Sequence, residues 1–181
     1  VLSALSTWQE GDQAPPLVVT SAHALMQRTL PKREYNLGLR PLRVGQHLML
    51  TRLLATWLDL GYEATSVVEE PGTFSRRGGI LDIFSAHARH PVRIELFGDE
   101  VDSMRVFDPT TQRSLYRVES WVVSPATEAL PKLGPLAVDK LRALDASGLH
   151  GPAGAEFASD LESLAECMHF SGIEFYIPYL Y

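Results

Sequence analysis

Between residues 75 and 94 four arginines, Arg76, Arg77, Arg89 and Arg93, stand against a single acid, Asp82, a local net charge of +3 in a chain whose net charge is -6. Just beyond them, strict alternation along Val92-Arg93-Ile94-Glu95-Leu96-Phe97 puts Val92, Ile94 and Leu96 on one strand face and Arg93, Glu95 and Phe97 on the other. Arginines beside an outward phenylalanine have the composition of a protein-protein hot spot. The guanidinium offers forked, charge-assisted hydrogen bonds, and the ring offers apolar area to bury. A structural alternative is that these arginines pair across hairpins with Glu95, Asp99 or Glu100, each pair contributing little. A nucleic-acid patch is the weaker reading, because the body is acidic and lysine is nearly absent nearby.

Other chemistry-bearing residues point to no reaction. No Gly-rich loop ends in Gly-Lys-Ser/Thr, so a phosphate cradle for nucleotide hydrolysis is missing, and Gly78-Gly79 reads as a turn. His87 and His90 flank Arg89 in a loop without the third and fourth ligands a metal needs, and read as part of a solvated basic loop. Ser21 and His23 are too close along a helix to face each other, leaving Ser21 as a cap and His23 as a polar-face residue. Glu69-Glu70 and Asp99-Glu100 border turns and read as caps or solvated acids. No catalytic constellation, metal set or cofactor site emerges.

The elements that must position the arginines and Phe97 follow from periodicity. Apolar residues at 50, 53, 54, 57 and 58 give an amphipathic helix over 48–60, ended by Gly61. After it come short strands separated by turn signals: 65–69, 73–77, 80–84, 92–97, 101–107 and 115–123. A helix followed by hairpin-linked strands predicts an α+β module, one helix packed on an antiparallel β meander. Upstream, the apolar run Leu17-Val18-Val19-Thr20 and a helix over 22–30, capped by Ser21 and stopped by Pro31, predict half of a parallel α/β unit that needs a sheet from elsewhere. Downstream, 124–135 reads as a linker, 136–146 and 156–170 as helices, and 173–181 as a strand.

Composition bounds these readings. At 181 residues the chain is one ordinary domain or two small ones. With 45% hydrophobic and 21% charged residues it is globular, and no apolar run approaches the ~18 residues of a membrane span. One cysteine, Cys167, excludes an internal disulfide and points to a reducing, cytoplasmic compartment. The start at Val1, without an initiator Met or a signal peptide, reads as a fragment of a larger protein, monomeric by itself.

Several of these residues together carry a family resemblance. Gly61-Tyr62-Glu63, the run from Val68 to Phe84 that contains Thr73-Phe74-Ser75-Arg76-Arg77-Gly78-Gly79-Ile80-Leu81-Asp82, the run from Pro91 to Val101, and Arg105-Val106-Phe107-Asp108 resemble the UvrB-homology region of bacterial transcription-repair coupling factors. Val18 to Ser21 and Gly172 to Tyr176 extend the likeness over nearly the whole chain. UvrB shares the region and is the close rival, which would imply a damage-recognition fragment with a DNA-binding role. Ile173 to Pro178 and Thr111 to Leu115, with no counterpart of the UvrB aromatic hairpin, favour the coupling factor.

The resemblance implies a non-catalytic segment that recruits UvrA to couple stalled transcription to nucleotide excision repair. Its UvrA-contacting positions carry over to Arg77, Arg93 and Phe97. In the whole protein it implies an ATP- and Mg-dependent motor, and contacts to RNA polymerase and DNA, all outside this segment. The implied division is 1–38, the end of a degenerate helicase-like domain; 39–125, the UvrA-binding module; and 126–181, a linker, helices and strand returning to the first domain. Ser85 stands where the family usually has Pro.

Overall fold

The computed structural model describes residues 2–8, 14–15 and 17–181. In chain order its elements are α1 (Leu2–Thr7), α2 (Ala22–Met26), α3 (Lys32–Gly38), β1 (Arg40–Arg43), α4 (Leu50–Asp59), β2 (Glu63–Ala64), β3 (Thr73–Arg77), β4 (Ile80–Ile83), β5 (Val92–Phe97), β6 (Glu100–Phe107), β7 (Ser114–Arg117), β8 (Ser120–Val123), α5 (Gly134–Arg142), α6 (Pro152–Ala165) and α7 (Ile177–Leu180). The class is α+β. Strands β2 to β7 form one sheet in sequence order, antiparallel except for the parallel β2–β3 pair, while β1 and β8 pair antiparallel in a second, two-stranded sheet.

The periodicity over 48–60 predicts α4 to within two residues. Its apolar side, with Leu50, Leu53, Leu54 and Trp57, packs on Phe74, Leu81, Ile83, Val92, Ile94, Val101 and Met104 of the sheet's inner face. Trp57 is fully buried and meets the Phe74 ring edge-on at a centroid distance of 5.4 Å. Burial of these side chains, at roughly 25 cal/mol per Å² of apolar surface, is what holds helix to sheet. A second core joins α5, α6 and α7 through Ala137, Val138, Leu141, Leu164, Ile173 and Leu180.

Several expectations need correction. Residues 65–69 are not a strand: the edge strand is β2, two residues earlier, and Val68 instead plugs a small cluster with Phe84 and Phe107. The run 115–123 breaks in two, because β7 continues the meander whereas β8 leaves it to pair with β1. Leu17 to Thr20 forms no strand. Leu17 and Val19 are exposed, and no strand among the described residues lies beside them to take their backbone hydrogen bonds. Residues 173–181 are helical: Gly172, at φ +94°, opens a single tight turn over Ile173–Tyr176 that leads into α7. Pro178 sits in the first turn of α7, where a missing N–H has no cost.

Ser21 caps α2 as its type predicts, its Oγ accepting from the Ala24 N–H at 3.2 Å, but the helix ends at Met26. Pro31 does not merely stop a helix; it precedes α3, which periodicity misses. The stretch 124–135 is a packed strap. The Tyr62 hydroxyl donates to the Ser124 carbonyl at 2.8 Å, the Ala126 N–H donates to the Leu60 carbonyl, and Ala129 and Leu130 are fully buried. Burial pushes the Tyr62 phenol up to about 12. No helix among the described residues is long and apolar enough to cross a membrane.

Candidate docking face on the six-stranded sheet

Register decides which side chains share the face opposite α4. Arg77 lies across from Ile80, Asp82 from Arg93, Ile80 from Glu95, Glu95 from Ser103, and Arg93 from Arg105. Cross-strand partners point the same way, so Arg77, Ile80, Asp82, Arg93, Glu95 and Arg105 form one outward surface. Phe97 ends β5 on this side, beyond a register shift between Glu95 and Leu96 that leaves Leu96 packed against the core. All three sequence-selected residues therefore reach the same face.

Two tight turns frame it. Gly78-Gly79 joins β3 to β4 and Gly98-Asp99 joins β5 to β6, with Gly78 at φ +62° and Gly98 at φ +66°, a backbone region in which a Cβ is strained. The Gly79 carbonyl accepts from the Leu96 N–H at 2.8 Å, which ties the first turn to the end of β5 beside Phe97. These glycines close hairpins between strands, as the turn reading of Gly78-Gly79 expects. Among the described residues no group of three or more His, Cys, Asp or Glu is placed to hold a metal ion.

The three selected side chains are in different states. Phe97 is 82% exposed, an apolar ring standing in water. The Arg77 side chain is 50% exposed and donates one bond, Nη2 to Asp82 Oδ2 at 2.8 Å. Arg93 is only 19% exposed. It donates from Nε to Asp82 Oδ1 at 2.7 Å and from Nη2 to Asp82 Oδ2 at 2.9 Å, with a further contact from Nη2 to Gln112 Oε1 at 3.3 Å. Its guanidinium also lies 4.7 Å from the centre of the Phe107 ring. The hydrogen bond to Asp82 raises the Arg93 pKa above the ordinary arginine value, against the opposing effect of burial.

On the other side of β5, Glu95 accepts from Arg105 and from the Ser103 hydroxyl at 2.8 Å. The Arg105 bond, then the Ser103 bond, hold the Glu95 carboxyl below its ordinary range. The face is thus a ribbon of alternating charge across four strands: Arg77, Asp82, Arg93, Glu95, Arg105. The acid that pairs with Arg77 and Arg93 is Asp82. The acids expected to do so behave otherwise, Glu95 bonding Arg105 and Asp99 bonding the His47 ring at 3.1 Å. Sequence counting overlooks Asp82 as a partner because its role depends on strand register.

The remaining sequence candidates play local roles. His87 is more than a solvated loop residue, since its Nδ1 sits 2.8 Å from Ser124 Oγ and links the β4–β5 loop to the strap. His90 buries Nδ1 without a hydrogen-bond partner among the described residues. Ser85, the departure from the family pattern, is fully buried, and its Oγ accepts from Trp121 Nε1 at 3.1 Å, a bond that proline has no hydroxyl to make. His23 is exposed beside Gln27, and Cys167 is an exposed thiol.

Comparison with known proteins agrees on where the chain belongs. Residues 41–128 match the model of the UvrB interaction domain. A transcription-repair-coupling factor of Bacillus subtilis is 31% identical over 92% of this chain, one of Myxococcus xanthus 34% over 98%, and one of Mycobacterium tuberculosis 36% over 92%. The chain spans about 15% of the length of these relatives.

Proposed function

Given that the chain belongs to the transcription-repair-coupling factor family, as a segment built around a UvrB interaction domain, we propose that it is a non-catalytic docking module that recruits UvrA through Arg77, Arg93 and Phe97. In this reading the whole protein's ATP- and Mg-dependent motor and its contacts to RNA polymerase and DNA lie in other segments, and residues 1–38 and 126–181 belong to a degenerate helicase-like domain around the module. The cytoplasm is its place of work.

The single observation that carries the proposal is the exposed Phe97 ring on the same sheet face as half-exposed Arg77, framed by two tight turns. Phe97 offers a partner pocket a large apolar group at little ordering cost, and Arg77 has N–H groups left for an acidic side chain. A DNA-binding role fits less well, because the face's arginines are bonded to Asp82 and Glu95.

Calorimetric titration of UvrA with the chain and with its Phe97→Ala variant tests the reading. Saturable binding that the variant weakens is expected, and equal affinity overturns it. A low-salt mobility shift on duplex or damaged DNA, absent with UvrA-competent chain, is the companion arm; a salt-sensitive shift would point to the UvrB-like role instead.

A further inference from the structure

Asp82 is the most deeply placed charge on the docking face. Its side chain is 1% exposed, whereas the arginines bonded to it are 19% and 50% exposed. A carboxylate removed from water is tolerated only when its oxygens are satisfied, and here three N–H donors from two guanidiniums do so. Such a buried ion pair is a poor device for stability, since apolar residues of similar size often serve as well. What it does supply is geometry.

The donors show what that geometry leaves over. A guanidinium has five N–H groups. In Arg93, Nε and Nη2 are occupied by Asp82 and Gln112, leaving Nη1. Arg77 commits only Nη2, to Asp82 Oδ2. Arg105, in register with Arg93, is drawn to Glu95, so two like charges on adjacent strands are each held by a different acid. Three guanidiniums against two carboxylates leave the ribbon net positive by one charge, at the Arg77 end, where the side chain is half-exposed and unsaturated.

We propose that Asp82 is the positioning residue of this docking face. It pins Arg93 flat against the sheet and fixes the guanidinium of Arg77 from one edge. The opposite edge of Arg77 then receives one carboxylate of the partner beside the pocket that takes Phe97. Arg77 is the direct contact, and Arg93 acts chiefly by sharing and orienting Asp82. The inference rests on the UvrA-docking reading above. It commits to an acidic partner group, since a ribbon already holding two carboxylates has one uncompensated cation.

The test is a double-mutant cycle in UvrA affinity, measured by calorimetry on the intact chain, its Asp82→Asn variant, its Arg77→Ala variant and the double variant, with thermal midpoints alongside. Asparagine keeps the shape of Asp82 and loses the charge. We expect Asp82→Asn to weaken binding about tenfold, the scale of one charge-assisted hydrogen bond, and to have less than half that effect once Arg77 is gone. Affinity equal to or tighter than that of the parent overturns the inference, because freed arginines would then bind unaided. Equal loss in both backgrounds also overturns it, as a purely structural effect would give.

A measurement on the unaltered chain guards against a variant that fails to fold. The Arg93 Nε–H, donated to Asp82, should exchange with water far more slowly than that of an exposed arginine, and fast exchange refutes the pinning. Failure of the chain to bind UvrA, or indifference of binding to Phe97→Ala, overturns the docking reading itself. Sensitivity to Phe97→Ala without sensitivity to Asp82→Asn overturns only this inference.

Discussion

Phe97→Ala separates binding from folding more cleanly than any other change on this face. A phenylalanine buries ~150–250 Å² when fully enclosed, and Phe97 is 82% exposed in the free chain, so roughly 120–200 Å² of apolar surface is available to a partner. At about 25 cal/mol per Å² that corresponds to about 3–5 kcal/mol of gross transfer free energy, of which a hot-spot residue typically shows 2 kcal/mol or more. Each 1.4 kcal/mol is a factor of ten, so UvrA affinity should fall at least about 30-fold. The same substitution should shift the chain's own stability by no more than about 0.5 kcal/mol, because the ring contributes little to the core. Calorimetric titration reads the first number and urea denaturation the second. An unchanged Kd would refute the anchor role, and a large loss of stability would show that the ring has a structural partner in solution.

Arg93→Ala behaves in the opposite way: it strips Asp82 of two of its three donors, and we expect a stability loss of about 2–4 kcal/mol by urea denaturation, most of it recovered when Asp82→Asn is added. Ser85→Ala leaves the Trp121 indole N–H without its acceptor and should cost about 1–3 kcal/mol in the same assay. Glu95 supplies the pH dependence. Its carboxyl pKa is depressed by Arg105 and Ser103, so its stabilising contribution is full above the unfolded value of ~4.3 and is lost as pH falls below that through the lower folded value. Thermal midpoints measured from pH 6 down to pH 3 should therefore drop less steeply in Glu95→Gln than in the parent chain.

How much of this was legible beforehand differs by element. Helix α4 and strand β5 are strongly patterned, and their helical and twofold apolar periods report a buried side directly. The short pieces were not legible. Pro31 reads as a stop, yet α3 follows it, and the apolar run 173–181 reads as a strand, yet the helical α7 core claims Leu180 while Phe175 stays exposed. A continuous apolar run carries no period, so tertiary packing alone assigns its conformation. The break between β7 and β8 is of the same kind, set by the presence of β1 as a partner for β8.

At the site the division is sharper. Alternation along β5 is a local property of an extended chain, so sequence alone determined that Arg93 and Phe97 share the outward face and that Val92, Ile94 and Leu96 turn inward. The excess of four arginines over one acid is likewise a fact of composition. What those charges do was decided only by the tertiary structure. Strand register sets Asp82 against Arg93, the two guanidiniums bonded to Asp82 lie over its carboxylate, and the two arginines that looked equivalent become one engaged and one half-free. The physical reason is that a charge's partner in a sheet lies across the strands, where its distance depends on register and burial and not on separation along the chain.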